Sequence, residues 1–250
     1  MPKTSELDHL CVVLVSTRNP LNIGAAARAM SNLGFSRLRV VSPYEASFRE
    51  ARSAVGAAPL LKNAEEYKTV ADAVADCSLV IGTTAAHNRE LHQPLKLLPQ
   101  AAPMIRKRLK AGRVALLFGS EKRGLSNADL SHCHWLLHIP TRTEHLSMNL
   151  GQAVAVCLYE LIRTGGKGKR SEVQPVSAHD KHKPASSGEL ERLTVLLLDA
   201  LQGSGYLDQR TITRKEEKIR RMVRRLNLSA DDAEVWLGML RQIAWKLNQR

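Results

Sequence analysis

Hydrophobic and polar positions fall into two regimes along this chain. Through residue 163, short, mainly apolar runs alternate with stretches of helical period. Leu10–Val15, Leu38–Val41, Leu79–Ile81, Val114–Phe118 and Trp135–Ile139 have the length of strands. The continuous run Leu10–Val15 has the pattern of a strand covered on both faces, as in a parallel sheet. Between them, Ile23 to Leu33, Tyr67 to Ala75, Met104 to Lys110 and Asn149 to Arg163 read as helices. Strand alternating with helix predicts an α/β unit built on a parallel sheet.

The second regime begins where the apolar period stops. Residues from Gly165 to Gly188 are rich in Gly, Pro, Ser and Lys, the composition of a flexible linker. Beyond it, Ser186 and Glu189 have the spacing of a capping box, ahead of Leu190, Leu193, Leu196, Leu197 and Leu201 at helical intervals. Two further helices are expected over Thr211–Leu226 and Ser229–Asn248. The expected organisation is an α/β domain over 1–165, a linker over 166–186 and an all-helical module over 187–250.

Composition narrows the function classes. Aromatics make up 4% of 250 residues, so aliphatic side chains must build the core. No run approaches the ~20 apolar residues of a membrane span, and the N-terminus lacks the basic-then-apolar order of a signal segment. A soluble, cytoplasmic protein without membrane partners is expected. Cys11, Cys77, Cys133 and Cys157 are widely spaced, which fits reduced, buried thiols rather than a disulfide framework. A net charge of +13 and a pI near 9.9 change the picture more. Such a surface attracts polyanions, and nucleic acid is the expected partner.

Three separated segments place unusual polar residues just after strands. The first is Asn19-Pro-Leu-Asn22-Ile-Gly24-Ala-Ala-Ala-Arg28, in which Asn22 can cap a helix and Arg28, one turn beyond Gly24, is a candidate phosphate ligand. The second is Phe118-Gly119-Ser-Glu121-Lys122-Arg123-Gly124-Leu125, a glycine-bracketed turn carrying three charges. Its two glycines have phosphate-loop spacing, but Leu125 and Ser126 stand where that motif needs Lys and then Ser or Thr, so triphosphate hydrolysis is not expected. The third runs from Ile139-Pro140 to Leu146-Ser147-Met148-Asn149-Leu150. In an open α/β sheet, ligands sit outside the carboxyl ends of the strands, so three such loops point to one site. No G-x-G-x-x-G follows any strand, which argues against a dinucleotide enzyme. His132, Cys133 and His134 offer too few ligands for a zinc site, and no metal is expected.

In this order, the three segments resemble the SpoU/TrmH branch of the SPOUT RNA 2'-O-methyltransferases, over roughly Leu7 to Arg163. The helical module, Gly82-Thr-Thr-Ala85 and Asn127-x-Asp129-Leu130 look most like its TrmJ subgroup. The resemblance implies a parallel-sheet α/β fold with a deep trefoil knot, a small C-terminal all-helical module and a homodimer packed through the helices after Asn22 and Asn149. It implies S-adenosylmethionine as cofactor, held by Thr83, Thr84, Ala85, Gly119, Ile139, Leu146, Ser147 and Met148. Catalytic roles fall to Arg28, Asn22, Glu121, Ser147 and Asn149. The implied product is a 2'-O-methylated ribose at nucleotide 32 of the tRNA anticodon loop. Methylation of ribosomal RNA or another tRNA site, and a non-catalytic RNA-binding protein on the same fold, are the alternatives. The charged stretch Arg142-Thr-Glu-His145 departs from the family pattern. RNA contacts are expected from Arg28, Lys122 and Arg123. They are also expected from a basic arm containing Arg214, Lys218, Arg220, Arg221, Arg224 and Arg225, where eight basic residues from Arg210 onward meet only Glu216 and Glu217.

Overall fold

The computed structural model describes residues 4–53, 59–85, 91–142, 147–163, 183–207 and 212–247. In chain order the elements are α1 (Thr4–Leu7), β1 (Leu10–Val15), α2 (Pro20–Asn32), β2 (Arg37–Val41), α3 (Glu45–Ser53), α4 (Pro59–Lys62), β3 (Glu65–Tyr67), α5 (Val70–Ala73), β4 (Leu79–Thr83), β5 (Leu95–Leu97), α6 (Leu98–Ala111), β6 (Val114–Phe118), α7 (Asn127–Ser131), β7 (Trp135–His138), α8 (Leu150–Ile162), α9 (Ser187–Gly203), α10 (Ile212–Arg225) and α11 (Ala230–Leu247). Seven strands pair in the order β3-β2-β1-β6-β4-β7-β5, and every pairing is parallel. All carboxyl ends therefore share one edge of the sheet.

The continuous apolar runs are explained by helices on both faces. Along β1 the side chains alternate between two cores: Val12 and Leu14 join the cluster containing Ile23, Met30, Phe118 and Val154. Cys11, Val13 and Val15 join the one containing Val80, Leu117 and Leu136. All four cysteines are free and buried. Helices α2 and α8 pack closely enough that a Cβ on Gly151 would lie 2.6 Å from the Ala25 side chain. The alanines after Gly24 thus serve a helix contact.

Three elements differ from expectation. Tyr67–Ala75 is not one helix: Glu65–Tyr67 pairs with β2 as an edge strand, and Thr69 starts the short α5 by accepting the Asp72 N–H. Helix α6 begins six residues before Met104 with Pro99 in its first turn and contains Pro103. A proline there forfeits only one bond near the helix start. β5 has three residues, two of them exposed, too few to show a period. Residues 86–90, 143–146 and 166–182, on which the expected trefoil crossing and most of the expected 166–186 linker fall, lie outside the described residues. Lys183–Ser186 belong instead with the helical module, where Pro184 bridges Ser229 and the Ala185 N–H donates to the Leu228 carbonyl.

Helices α9, α10 and α11 enclose a separate small core of Leu190, Leu193, Val223, Ala233, Leu237 and Leu240. The capping box forms as expected: Ser186 Oγ accepts the Glu189 N–H at 3.3 Å, and Glu189 Oε2 accepts the Ser186 N–H at 2.7 Å. The start of α9 is hydrogen-bonded to the turn before β4, Ser187 N–H to the Cys77 carbonyl and Gly188 N–H to the Ala75 carbonyl, both at 2.8 Å. The module is docked on the α/β unit.

Candidate active site at the carboxyl edge

The three polar segments meet at a cleft of about 490 Å³ beyond the ends of β4, β6 and β7, within the size range of small-molecule sites. Its polar side is a chain of side-chain amides ending on a carboxylate. Asn149 caps α8, its Oδ1 accepting the Gly151 and Gln152 N–H groups. Its Nδ2 then donates to Asn22 Oδ1 at 2.7 Å, and Asn22 Nδ2 donates to Glu121 Oε1 at 3.1 Å. The cap at one end and the carboxylate at the other fix which way both amides point. Glu121 also accepts the N–H groups of Arg18 and Asn19, at 3.3 and 3.2 Å. Burial works to raise the Glu121 pKa. Hydrogen bonds from its own backbone, Asn22, Arg18 and Asn19 outweigh that and hold it below the usual carboxylate value.

Asn22 does not cap α2. Asn19 does so, accepting the Leu21 N–H at 2.9 Å, with Pro20 in the first turn. A proline favours the first helical position, which moves the cap upstream and leaves the Asn22 amide to join the other two segments. The second segment folds back on itself. Ser120 and Gly124 form an isolated antiparallel bridge, Gly124 has φ +64°, and a Cβ on Gly119 would lie on the backbone of Gly124 and Leu125. Glycine at 119 is a steric requirement of this turn.

Thr83, Thr84, Ala85, Gly119, Ile139, Ser147 and Met148 line the cleft, as expected, together with Asn22, Glu121, Lys122, Arg123 and Asn149. The Thr83 hydroxyl is committed to the Leu117 carbonyl at 2.8 Å, so it ties β4 to β6. Leu146 and His145 lie outside the described residues. Arg28 does not line the cleft. It is exposed on α2, six residues beyond Asn22 and so ~9 Å along the axis. The residues missed in sequence include Phe118, Ser120, Leu137, His138 and Thr141. His138 Nδ1 lies 3.1 Å from the Thr84 carbonyl. Their only signal was position at a strand end.

The basic arm is corrected more sharply. Arg220 and Arg224 are buried, at 8% and 2% exposure, because Glu191 of α9 supplies a carboxylate from outside the arm. Arg220 bonds Glu191 at 3.0 Å, Glu216 at 2.6 Å and Ser131 Oγ at 3.2 Å. Arg224 bonds Glu191 at 3.2 Å and the Ser187 carbonyl at 3.3 Å. Burial lowers the Arg224 pKa to about 10. Arg221 pairs with Glu217 at 3.4 Å. Lys218 and Arg225 remain exposed, and the Arg214 side chain lies outside the described residues. His132 and His134 are buried next to this seam. Desolvation, reinforced by the arginine charges, pushes both down to about 3. His134 Nδ1 accepts the Val80 N–H at 3.1 Å. Both are neutral structural groups.

A profile of the SpoU rRNA Methylase family matches residues 9–159, which contain all three segments. This chain belongs to that family. It is an RNA methyltransferase whose cofactor is S-adenosylmethionine. Over 240 residues it is 35% identical to the tRNA (cytidine/uridine/adenosine-2'-O-)-methyltransferase TrmJ of Pseudomonas aeruginosa, covering 94% of this chain and 93% of that one. Identity to the tRNA (cytidine/uridine-2'-O-)-methyltransferase TrmJ of Klebsiella pneumoniae is 32%, covering 95% and 97%. Among solved structures, TrmJ from Z. mobilis ZM4 superposes with a TM-score of 0.77 at 30% identity, covering 93% of this chain and 98% of that one. Similarity at this coverage includes the helical module as well as the sheet.

The cleft fits the cofactor on its own chemistry. It has an apolar floor from Phe118, Leu137, Ile139 and Leu150 and a polar rim, the combination that a purine and a charged amino-acid group require.

Proposed function

We propose that this protein is a cytoplasmic homodimer that methylates the ribose 2'-hydroxyl of nucleotide 32 in tRNA. The observation that carries this reading is the Glu121–Asn22–Asn149 chain of hydrogen bonds beside the cleft. It joins the three segments at one polar point, where a nucleotide can meet the cofactor. The relatives similar over nearly the whole chain are named for tRNA 2'-O-methylation, which favours tRNA over ribosomal RNA.

The cofactor supplies an electrophilic methyl group when bound, held by the cleft walls at Thr84, Ala85, Gly119, Ile139, Ser147 and Met148. The chain itself must orient the ribose hydroxyl and let its proton leave. Glu121 is a poor proton acceptor because its hydrogen bonds hold the pKa low. Its role is to fix Asn22, whose amide, with the exposed Ser147 hydroxyl, orients the ribose. Alignment of this kind supplies a large share of the rate in group transfer. Lys122 and Arg123 on the same rim offer charge to the RNA backbone.

Arg28 enters through the dimer. It shares the open side of the α2–α8 pair with Leu21, Val156 and Tyr159, exposed by 79%, 37% and 56%. A second copy packed over this face would bring Arg28 to the neighbouring cleft, where an ordinarily charged guanidinium can hold the phosphate of the bound nucleotide. The test is transfer of labelled methyl from S-adenosylmethionine to tRNA and to ribosomal RNA fragments, wild type beside Arg28→Ala, with the product mapped by nuclease digestion. The expected result is label at nucleotide 32, reduced on the order of 100-fold in Arg28→Ala with unchanged cofactor affinity. Label only in ribosomal fragments would overturn the tRNA reading.

A further inference from the structure

The loops after β1, β2 and β3 lie side by side along the same carboxyl edge that carries the cleft, and no side chain of residues 16–19, 42–44 or 68–69 lines it. They are laced together by hydrogen bonds. Ser16 N–H donates to the Val41 carbonyl, and Ser42 N–H to the Tyr67 carbonyl, both at 2.9 Å. Ser42 Oγ donates to the Lys68 carbonyl at 2.7 Å. Ser47 Oγ donates to the Arg18 carbonyl, and Tyr44 N–H reaches the Thr17 carbonyl at 3.5 Å. Both serines turn sharply, with φ +52° at Ser16 and +42° at Ser42. The ledge is joined to the active site because Glu121 accepts the Arg18 and Asn19 N–H groups.

Three side chains stand on this ledge. Arg18 and Lys68 are exposed, and Tyr44 is 58% exposed. Among the described residues, none of these three side chains has a hydrogen bond or an ion pair. Two strand spacings of about 4.8 Å separate the loops after β1 and β3, so the ledge is on the order of 10 Å long. Cation, aromatic ring and cation along a stiff edge are the groups that bind a single RNA strand: cations take phosphates, and a ring takes an unstacked base. The carboxylates bordering it are Glu45, in the first turn of α3, and Asp72, which is engaged with Thr69.

We infer that the carboxyl ends of β1, β2 and β3 form a track for the RNA strand flanking the methylated nucleotide, with Arg18 and Lys68 holding phosphates and the Tyr44 ring stacking a base. The inference rests on the RNA-methyltransferase reading of the adjoining cleft. It places the substrate strand over the β6–β1–β2–β3 half of the sheet, away from β5.

The experiment measures RNA affinity and S-adenosylmethionine affinity for the full-length wild type, Tyr44→Ala, Tyr44→Phe and Arg18→Ala/Lys68→Ala. Tyr44→Ala is expected to weaken tRNA binding on the order of 10-fold, and Tyr44→Phe to restore it, because stacking needs the ring and not the hydroxyl. The double variant is expected to lower the slope of log affinity against log salt by about 1.4 to 1.8, the share of two phosphate contacts. Cofactor affinity should stay at the wild-type value in all variants, which also reports that the fold is intact. Wild-type affinity in Tyr44→Ala with an unchanged salt slope in the double variant would overturn the track. A Tyr44→Phe variant as weak as Tyr44→Ala would overturn the stacking. If the wild type labels ribosomal fragments and not tRNA, the nucleotide-32 reading fails, and the same comparisons on that RNA decide the track.

Discussion

Two glutamates organise this molecule, and each collects several hydrogen bonds from a distant part of the chain. Glu121 gathers Arg18, Asn19 and Asn22 at an open edge. Glu191 gathers Arg220 and Arg224 within a closed seam and lies 3.6 Å from His132. The open cluster is neutral on its donor side, so only one charge needs water, and water can reach it. The closed cluster sets two arginines against Glu191 and the half-exposed Glu216, with the Arg224 Nε left without a partner. A glutamate therefore does different work in each: the first presents groups to a substrate, and the second holds a module in place. The charge of the glutamate does not distinguish them, but that of its partners does.

Removing each carboxylate separates the two roles. Glu191→Ala leaves Arg224 buried and unpaired and is expected to cost about 3–5 kcal/mol of stability, read by chemical unfolding. Cofactor affinity of the protein that remains folded should be close to wild type. Asn22→Ala breaks the open chain between Glu121 and Asn149. Activity is expected to drop on the order of 100-fold, about 2.7 kcal/mol, with stability changed by less than about 1 kcal/mol because the site is solvated. An Asn22→Ala protein that unfolds like Glu191→Ala would erase the distinction.

Acid should act on the closed seam first. His132 and His134 titrate near 3 in the folded protein against 6.5 unfolded. Below about pH 6.5 the unfolded chain binds protons that the folded one does not, so stability falls as pH drops from 6.5 towards 3. With both groups contributing, the slope is at most about 2.7 kcal/mol per pH unit. Glu121 has the opposite timing. Its depressed pKa contributes stability above the normal carboxylate value, and that is lost only as pH falls through its lower folded one. Denaturant midpoints at pH 7.5, 6.5 and 5.5 test the order, and His132→Gln should flatten the slope by about one proton.

The smallest effects are expected on the outer face of α10. Lys218→Ala or Arg225→Ala should each reduce the salt slope of tRNA binding by no more than about 0.9 and leave the unfolding midpoint unchanged. Arg224→Ala should move the midpoint instead. A four-arginine variant spanning 220–225 would confound the two effects.

The sheet was legible because parallel strands covered on both faces leave apolar runs, unbroken in β1 and β6 and dominant in β2, β4 and β7. β3 and β5 were not legible. Glu65-Glu66-Tyr67 has no apolar run and is a strand through its pairing with β2, where Arg39 also meets Glu65 at 3.1 Å, a tertiary fact. The cleft walls followed from motif order and strand ends, but the Asn22 role was misassigned since either Asn19 or Asn22 could cap. The basic arm misled for a physical reason. Its count of carboxylates considered neighbours along the chain, whereas Glu191 approaches from another helix 29 residues before Arg220.

The docking of α9 has a consequence for how the polypeptide can be divided. Ser187 and Gly188 at its start bond the turn before β4, and the Lys183 carbonyl just ahead of it accepts the Ala230 N–H. The seam then sets where the helices sit. A protein of this design behaves as two parts fitted together, and the fit between them is what keeps the assembled shape.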